Sequence, residues 1–446
     1  MSTKLTSWND NDEFFNFTRG RFLRDESHQL SQCHIRFNID ELAQLAVHAA
    51  QLTSPGARRC VNIEKLADGM HNKAVRFTMD NGFQAVDKVS NSNAGKPHFT
   101  TASEVATMIF MKNVMGTPVP KVFSWSSTAD NAVDAEYILM ENIQGVQLSK
   151  LWNQLDIEIK MKVLRKITSY QENWVRTCFS QYGSLYYKRD LVYSAPSIEY
   201  TDNRGMAIVD ERFAIGLSVS RQNNDNGRID IDFDRDPCKN KKILHNNLYT
   251  KNIFVNPNNL SEIFGIINWQ SIELIFLFLD KLLEQLKFAN ISNRKINLHL
   301  IYKRIPQLFK ILEFRETPPF QLLLFARNLL VDGEATYLAL LADQQRENWR
   351  GIPRLNQEDT KSPIYFTADM LHRIDMDHTG ADSAIKLMQE AQEMMGQRFF
   401  YAGGLVSHEE FSETRQIIPR VKTEFIQKHA RNTEEAVELE HAWPFE

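Results

Sequence analysis

The chain has 446 residues, 43% hydrophobic and 24% charged, with a net charge of −4. Those proportions are ordinary for a globular protein of up to two or three domains, and the charge offers no pull toward nucleic acid or an anionic membrane. No apolar run approaches the roughly 20 residues of a membrane helix. The four cysteines, Cys33, Cys60, Cys178 and Cys238, lie far apart with no C-x-x-C pair. A disulfide framework or zinc site is therefore not expected, and a reducing compartment is the default.

The N-terminal stretch MSTKLTSWNDNDEFFNF has no signal-peptide core, and Asp10, Asp12 and Glu13 depart from transit-peptide composition. Taken alone it predicts a cytoplasmic protein. Residues 1–60 read as a polar, aromatic-dotted extension that closes on the loop-like Thr53–Gly56. Val75, Phe77 and Met79 then alternate with polar residues, Asn81-Gly82 supplies a hairpin turn, and Phe83–Val89 returns. A helix follows in TTASEVATMIFMKNV, broken by Pro118 and Pro120. Lys121–Ser124 and Tyr137–Met140 are strand-like. Beyond Gly145 the apolar spacing turns helical, with Leu148, Leu151, Trp152 and Leu155 on one face and Leu164, Ile167, Tyr170 and Trp174 on the next. Polar Arg221–Lys242 reads as loop. The expectation is an α+β, two-lobed molecule: a small antiparallel-sheet N-lobe over 61–143, a larger helical C-lobe over 144–400, and a charged C-terminal tail over 401–446.

The chemistry-bearing stretch is ILHNNLYTKNIFVNP. His245, Asn247 and Asn252 keep the spacing of the protein-kinase loop H-R-D-x-x-x-x-N, with Asn247 where that loop has its Asp. A strand, a turn and a second strand, Ile263–Ile267, follow and end at Asn268-Trp269. Upstream, Lys88 shares a strand face with Val86, as does the lysine that holds nucleotide phosphates in kinases. Glu104 on the next helix can pair with it, although Thr101-x-x-Glu104 is also a helix capping box. Gly69 in LADGMHNKAV is either a phosphate cradle or simply a turn. Tyr137–Glu141, continuing to Asn142, is either an inter-lobe hinge where Met140 and Asn142 border adenine or an ordinary core strand.

These motifs resemble the aminoglycoside-phosphotransferase-like branch of the protein-kinase-like superfamily, in particular its fungal altered inheritance of mitochondria protein 9 group. That group reads H-P-D-L-H-x-D-N-I-F-V-D-P and G-I-I-D-W-Q where this chain has HNNLYTKNIFVNP and GIINWQ. FNFTRGRFLRDE, NAGKPHFTTASEVATM, PVPKVFSWSS, AEYILMENIQGVQL and YGSLYY also match. The resemblance implies an ATP- and Mg²⁺-dependent fold with Lys88 as phosphate lysine and Asn252 as metal ligand. Asn247 and Asn268 then stand at the catalytic-base and metal-Asp positions. It also implies a mitochondrial location.

The departures weaken the chemistry. Asn247 cannot take a proton, and general-base help is worth roughly 10²- to 10⁴-fold. Asn268, like Asn252, brings Mg²⁺ no formal charge. The helical segment that the family places between its D-R-G-P-W-like stretch and the loop is missing after Asp234–Cys238. Lys251 stands where the family has Asp, either near phosphate or as a solvated loop lysine. Three readings remain open. One is a degenerate, pseudokinase-like protein with weakened nucleotide binding and a binding or regulatory role. Another is a slow ATP-dependent phosphotransferase using a carboxylate such as Glu273 or Asp280. The third is a scaffold whose cleft takes no nucleotide. No protein partner or acceptor is legible.

Overall fold

Alternation of side chains builds the smaller lobe. In Asn72–Met79 (β2) every second residue from Lys73 is buried, and in Gln84–Ser90 (β3) the same parity buries Ala85, Asp87 and Val89. The turn between them uses Gly82 at φ +84°, a conformation without penalty for glycine. Cys60–Lys65 (β1), Val122–Ser126 (β4) and Tyr137–Glu141 (β5) complete a five-stranded sheet in the order β1-β2-β3-β5-β4, antiparallel throughout. The computed structural model describes residues 7–219, 242–243, 245, 248–272, 274–275, 299–315, 317–346, 365–396 and 404–443. Of the sequence expectations, Asn247, Glu273, Asp280, Asp234–Cys238 and the polar stretch over 221–241 lie outside these residues.

Residues 1–60 are not simply an extension. Ile39–Thr53 (α1) starts at Asn38, whose side chain accepts from the Glu41 amide, and buries Ile39, Leu42, Ala43, Ala46, Ala49 and Ala50. These join Val75, Phe77, Ala85, Val89 and Leu139 in one core. The alanines let the helix lie close to the sheet, and their spacing of three and four was readable as an amphipathic face.

On the other side of the sheet runs Phe99–Asn113 (α2), buried almost all round from Thr100 to Met111. The larger lobe begins with Val146–Gln147 (β6) and Leu148–Leu151 (α3), then Ile157–Arg176 (α4), which buries Val163, Leu164, Ile167, Thr168, Gln171, Trp174 and Val175. Short strands follow, among them Ser184–Tyr187 (β7), Ile198–Thr201 (β8), Ala207–Asp210 (β9) and Phe213–Gly216 (β10), with β7 paired to β10, β8 to β9, and Cys178–Phe179 on the other edge of β8. The sequence reading expected helix here, because four-residue strands such as Ile198-Glu199-Tyr200-Thr201 are too short for their alternation to stand out. Ile253–Asn256 (β11) and Asn259–Ile266 (β12) form a hairpin, with β6 on the far side of β11.

The compact units divide differently from the sequence expectation. Unit one is Met1–Thr18 with Gln32–Ile311 and holds both lobes; unit two is Arg19–Ser31 with Leu312–Glu446. In unit two, Arg21–Phe22 pairs with Leu405–Val406. Helices Ala368–Met394, His408–His429 and Thr433–His441 contribute to a core that includes Ala391, Ile418, Val421, Phe425 and Trp443. The region read as a charged tail over 401–446 includes the packed helix His408–His429. Among the described residues no helix is long and apolar enough to cross a membrane.

Candidate functional site

Register places Lys88. On β3 it pairs with Ala74 of β2 and Ile138 of β5, while Val86 pairs with Met140, so Val86, Lys88, Ile138 and Met140 share one face. Glu104, in the second turn of α2, meets it: Lys88 Nζ donates to Glu104 Oε2 at 2.5 Å, with side chains 10% and 3% exposed. The competing capping box does not form. The helix starts earlier, at Phe99, with no side-chain cap, and the Thr101 hydroxyl instead donates to Glu136 Oε2 at 2.6 Å.

A third side chain completes this junction, and sequence reasoning missed it. Gln270 Oε1 accepts from Lys88 Nζ at 3.0 Å and from Asn72 Nδ2 at 3.4 Å, and its Nε2 donates to the Ala94 carbonyl at 3.0 Å. Gln270 closes the GIINWQ run; no local pattern distinguishes such a glutamine from a surface residue.

The hairpin positions the remaining residues. Ile267 N–H donates to Asn252 O at 2.9 Å, bringing the two polar positions of the hairpin together through the backbone. Asn252 is buried, and half-buried Asn268 sits at φ +69°, which asparagine tolerates better than most residues. His245 is fully buried, edge-on to Trp269 at 4.4 Å. Its Nε2–H donates to the Ile267 carbonyl at 2.9 Å, and burial holds its pKa down at about 4. A neutral ring tied to the residue before Asn268 is a strut under the strand end.

The hinge residues divide. Met140 is half-buried against the larger lobe's core. Asn142 is engaged sideways, its Nδ2 donating to Gln84 Oε1 at 2.8 Å. Between the lobes the chain presses onto the hairpin, for Ile143 fills the space a side chain at position 265 would need: a Cβ on Gly265 would come within 2.0 Å of Ile143 Cδ1. Gly69 lies in a turn closed by its N–H to Asn72 O at 3.0 Å, and a Cβ there would meet Asn72 Oδ1 at 3.0 Å. That turn is further fixed by Asp68, which accepts from the Thr18 amide and hydroxyl and pairs with Lys65 and Lys73. Lys251 is exposed, with its ammonium 5.6 Å from the Tyr249 ring centroid.

A small antiparallel lobe with a buried strand-lysine to helix-glutamate pair, joined through a hinge to a larger lobe carrying a loop-and-hairpin, is a protein-kinase-like fold. No family model matches the chain. Curated relatives do. A subtelomeric hrmA-associated cluster protein of Aspergillus fumigatus is 37% identical over 180 residues, 40% of this chain and 33% of that protein. Altered inheritance of mitochondria protein 9, mitochondrial, of Yarrowia lipolytica is 28% identical over 205 residues, 42% and 35% of the two chains. The matched stretch therefore spans about a third of these relatives' length. Among solved structures, a thermostable mutant of aminoglycoside phosphotransferase APH(4)-Ia covers 75% of this chain and 98% of its own, at 12% identity and a TM-score of 0.36. ADP-bound aminoglycoside phosphotransferase APH(2'')-Ib covers 76% and 96%, at 11% and 0.34. The chain is thus similar to the altered inheritance of mitochondria protein 9 group, as its motifs implied.

Proposed function

We propose that the chain is a degenerate, pseudokinase-like protein that takes an ATP-class nucleotide in its cleft and works by binding, not turnover. The observation that carries this reading is the closed Lys88–Glu104 pair. Holding a lysine buried at 10% side-chain exposure against a carboxylate is of doubtful value to stability alone, because desolvation offsets much of the attraction. It does leave a cation positioned for phosphate. Lys88 fits a phosphate ligand, with Met140 on the same sheet face and Asn142 past the strand end.

The metal side fits poorly. Asn252 and Asn268 offer amide oxygens without formal charge, so Mg²⁺ would be held mainly by the nucleotide's own phosphates. With Asn247 at the base position, an acceptor hydroxyl would have no carboxylate to receive its proton.

The test is the melting temperature of the purified chain with ATP, in Mg²⁺ and in EDTA. Ligand at about 100 times its dissociation constant stabilises by roughly 2.7 kcal/mol, a shift of several degrees. A shift indifferent to EDTA is expected; absence of any shift sinks the nucleotide reading. Turnover is tested with the Asn247→Asp/Asn268→Asp double variant: ATP-dependent phosphoryl transfer by the unaltered chain refutes degeneration, and transfer only by the variant supports it. Relatives named as mitochondrial support a mitochondrial location, which imaging of the tagged full chain with a matrix marker checks.

A further inference from the structure

Gln270 belongs to the larger lobe, two residues past Asn268, yet its amide bonds three groups of the smaller lobe: Lys88, Asn72 and the Ala94 carbonyl. It is buried, at 5% exposure, as is Lys88 at 8%. The bond to Ala94 fixes which way the amide faces. Because the Ala94 carbonyl can only accept, Nε2 must point there, which turns Oε1 toward the ammonium.

An ammonium has three donors. Glu104 and Gln270 engage two of them, and little of the Lys88 side chain is left to solvent. The bond to Glu104 is charge-assisted on both sides; that to Gln270 has a neutral acceptor and is the weaker one. A phosphate oxygen is a charged acceptor and outcompetes an amide for the same donor.

We propose that Gln270 is a latch on the nucleotide site: it holds Lys88 across the cleft in the nucleotide-free protein, and a nucleoside triphosphate gains the lysine by displacing it. Asn72 and Ala94 are the catch that positions the amide. This rests on the nucleotide-binding reading above. It makes Gln270 a positioning residue that lowers apparent nucleotide affinity by the cost of release.

The experiment reads Lys88 directly. The full chain is treated with a small water-soluble acetylating reagent, and modification at Lys88 is followed by mass spectrometry while ATP affinity is measured by calorimetry. Loss of the latch in Gln270→Ala should speed Lys88 acetylation and tighten ATP binding, each about tenfold, the scale of one charge-assisted hydrogen bond. Gln270→Met keeps the length but removes the oxygen that faces Lys88, so it should likewise speed acetylation and tighten ATP binding; it also serves if the alanine variant fails to fold. Unchanged acetylation in the folded alanine variant overturns the latch. Faster acetylation with weaker ATP binding overturns it too, making Gln270 part of the ligand's grip. Faster acetylation with no ATP binding in either protein supports the contact with Lys88 and refutes the nucleotide reading instead.

Discussion

Replacing Asp87 by Asn should stabilise the smaller lobe although it adds no contact. Asp87 lies on β3 between Val75 and Leu139 of the neighbouring strands, on the parity that faces α1 and its apolar layer. It is 0% exposed, and among the described residues neither carboxyl oxygen has a hydrogen-bond partner. Burial drives its pKa from 3.8 up to about 8, opposed only in part by the adjacent Lys88 backbone amide. Between those two values the folded chain holds a proton that the unfolded chain releases, so stability falls as pH rises, by about 1.4 kcal/mol per pH unit. The whole span costs about 6 kcal/mol, and at pH 7 the cost is about 4 kcal/mol. The Asn side chain keeps the shape and removes the ionisation but buries an unpartnered amide at about 1–3 kcal/mol, so it should recover part of that figure.

Urea unfolding of the wild type and Asp87→Asn at pH 5, 6.5 and 8 is the assay. The variant's advantage should grow steadily from pH 5 to pH 8 and then level off. A constant difference at all three values would mean that Asp87 does not titrate on unfolding in this window. A less stable variant at pH 8 would mean that the carboxylate has a partner, and the account of the lobe's core would fail.

His245 should give the opposite slope. Its pKa falls from 6.5 to about 4 in the fold, so the unfolded chain gains a proton first and stability drops as pH falls through that range, by about 3 kcal/mol in all. In the wild type this offsets the Asp87 slope and leaves the pair nearly flat there; Asp87→Asn should uncover acid sensitivity, and adding His245→Phe should abolish it in the same urea series. Lys88→Met strands Glu104 in the interior and should cost about 3–5 kcal/mol, most of it regained by adding Glu104→Leu; a double variant as weak as the single one would refute the buried pair. Gly265→Val should drive a side chain into Ile143 and cost about 1–3 kcal/mol, and Ile143→Ala in the same chain should relieve it, which a double-mutant cycle on melting temperatures measures.

Local signals made the smaller lobe legible. Alternation through Val75, Phe77 and Met79, with Asn81-Gly82 between the strands, specifies the hairpin, and the hairpin's register puts Lys88 on the cleft face. The same alternation puts Asp87 on the core face with Ala85 and Val89, a conflict visible in the sequence once strand parity is followed. Other features depend on partners distant in sequence. Gln270 acquires meaning only because Lys88, 182 positions away, lies opposite it. The division into compact units was equally hidden, since Arg21–Phe22 belongs with Leu405–Val406 through a backbone ladder that no motif announces. Spacing singled out His245 and Asn252; it could not foresee that both are buried, or that the His245 ring is tied to the Ile267 carbonyl.

On the reading proposed above, the loss of charge at Asn247 and Asn268 bears on more than catalysis. In the family pattern, carboxylates at the positions of Asn247 and Asn268 stand near the nucleotide's phosphates, a like-charge arrangement that is favourable only with a divalent cation between them. If Asn247 and Asn268 occupy those positions, asparagine at both removes the reason for the metal and the repulsion it relieves. Among the described residues Lys88 pairs with Glu104, and on the reading proposed above an entering phosphate draws on Lys88 at the expense of the neutral Gln270. Nucleotide affinity in such a site should depend less on Mg²⁺ than on what holds Lys88. Dissociation constants for ATP measured with Mg²⁺ and with EDTA should therefore lie within about threefold of one another, and the Asn247→Asp/Asn268→Asp double variant should spread them apart by weakening the metal-free complex. Equal weakening of both complexes would mean that the two positions act on the fold and not on the phosphates.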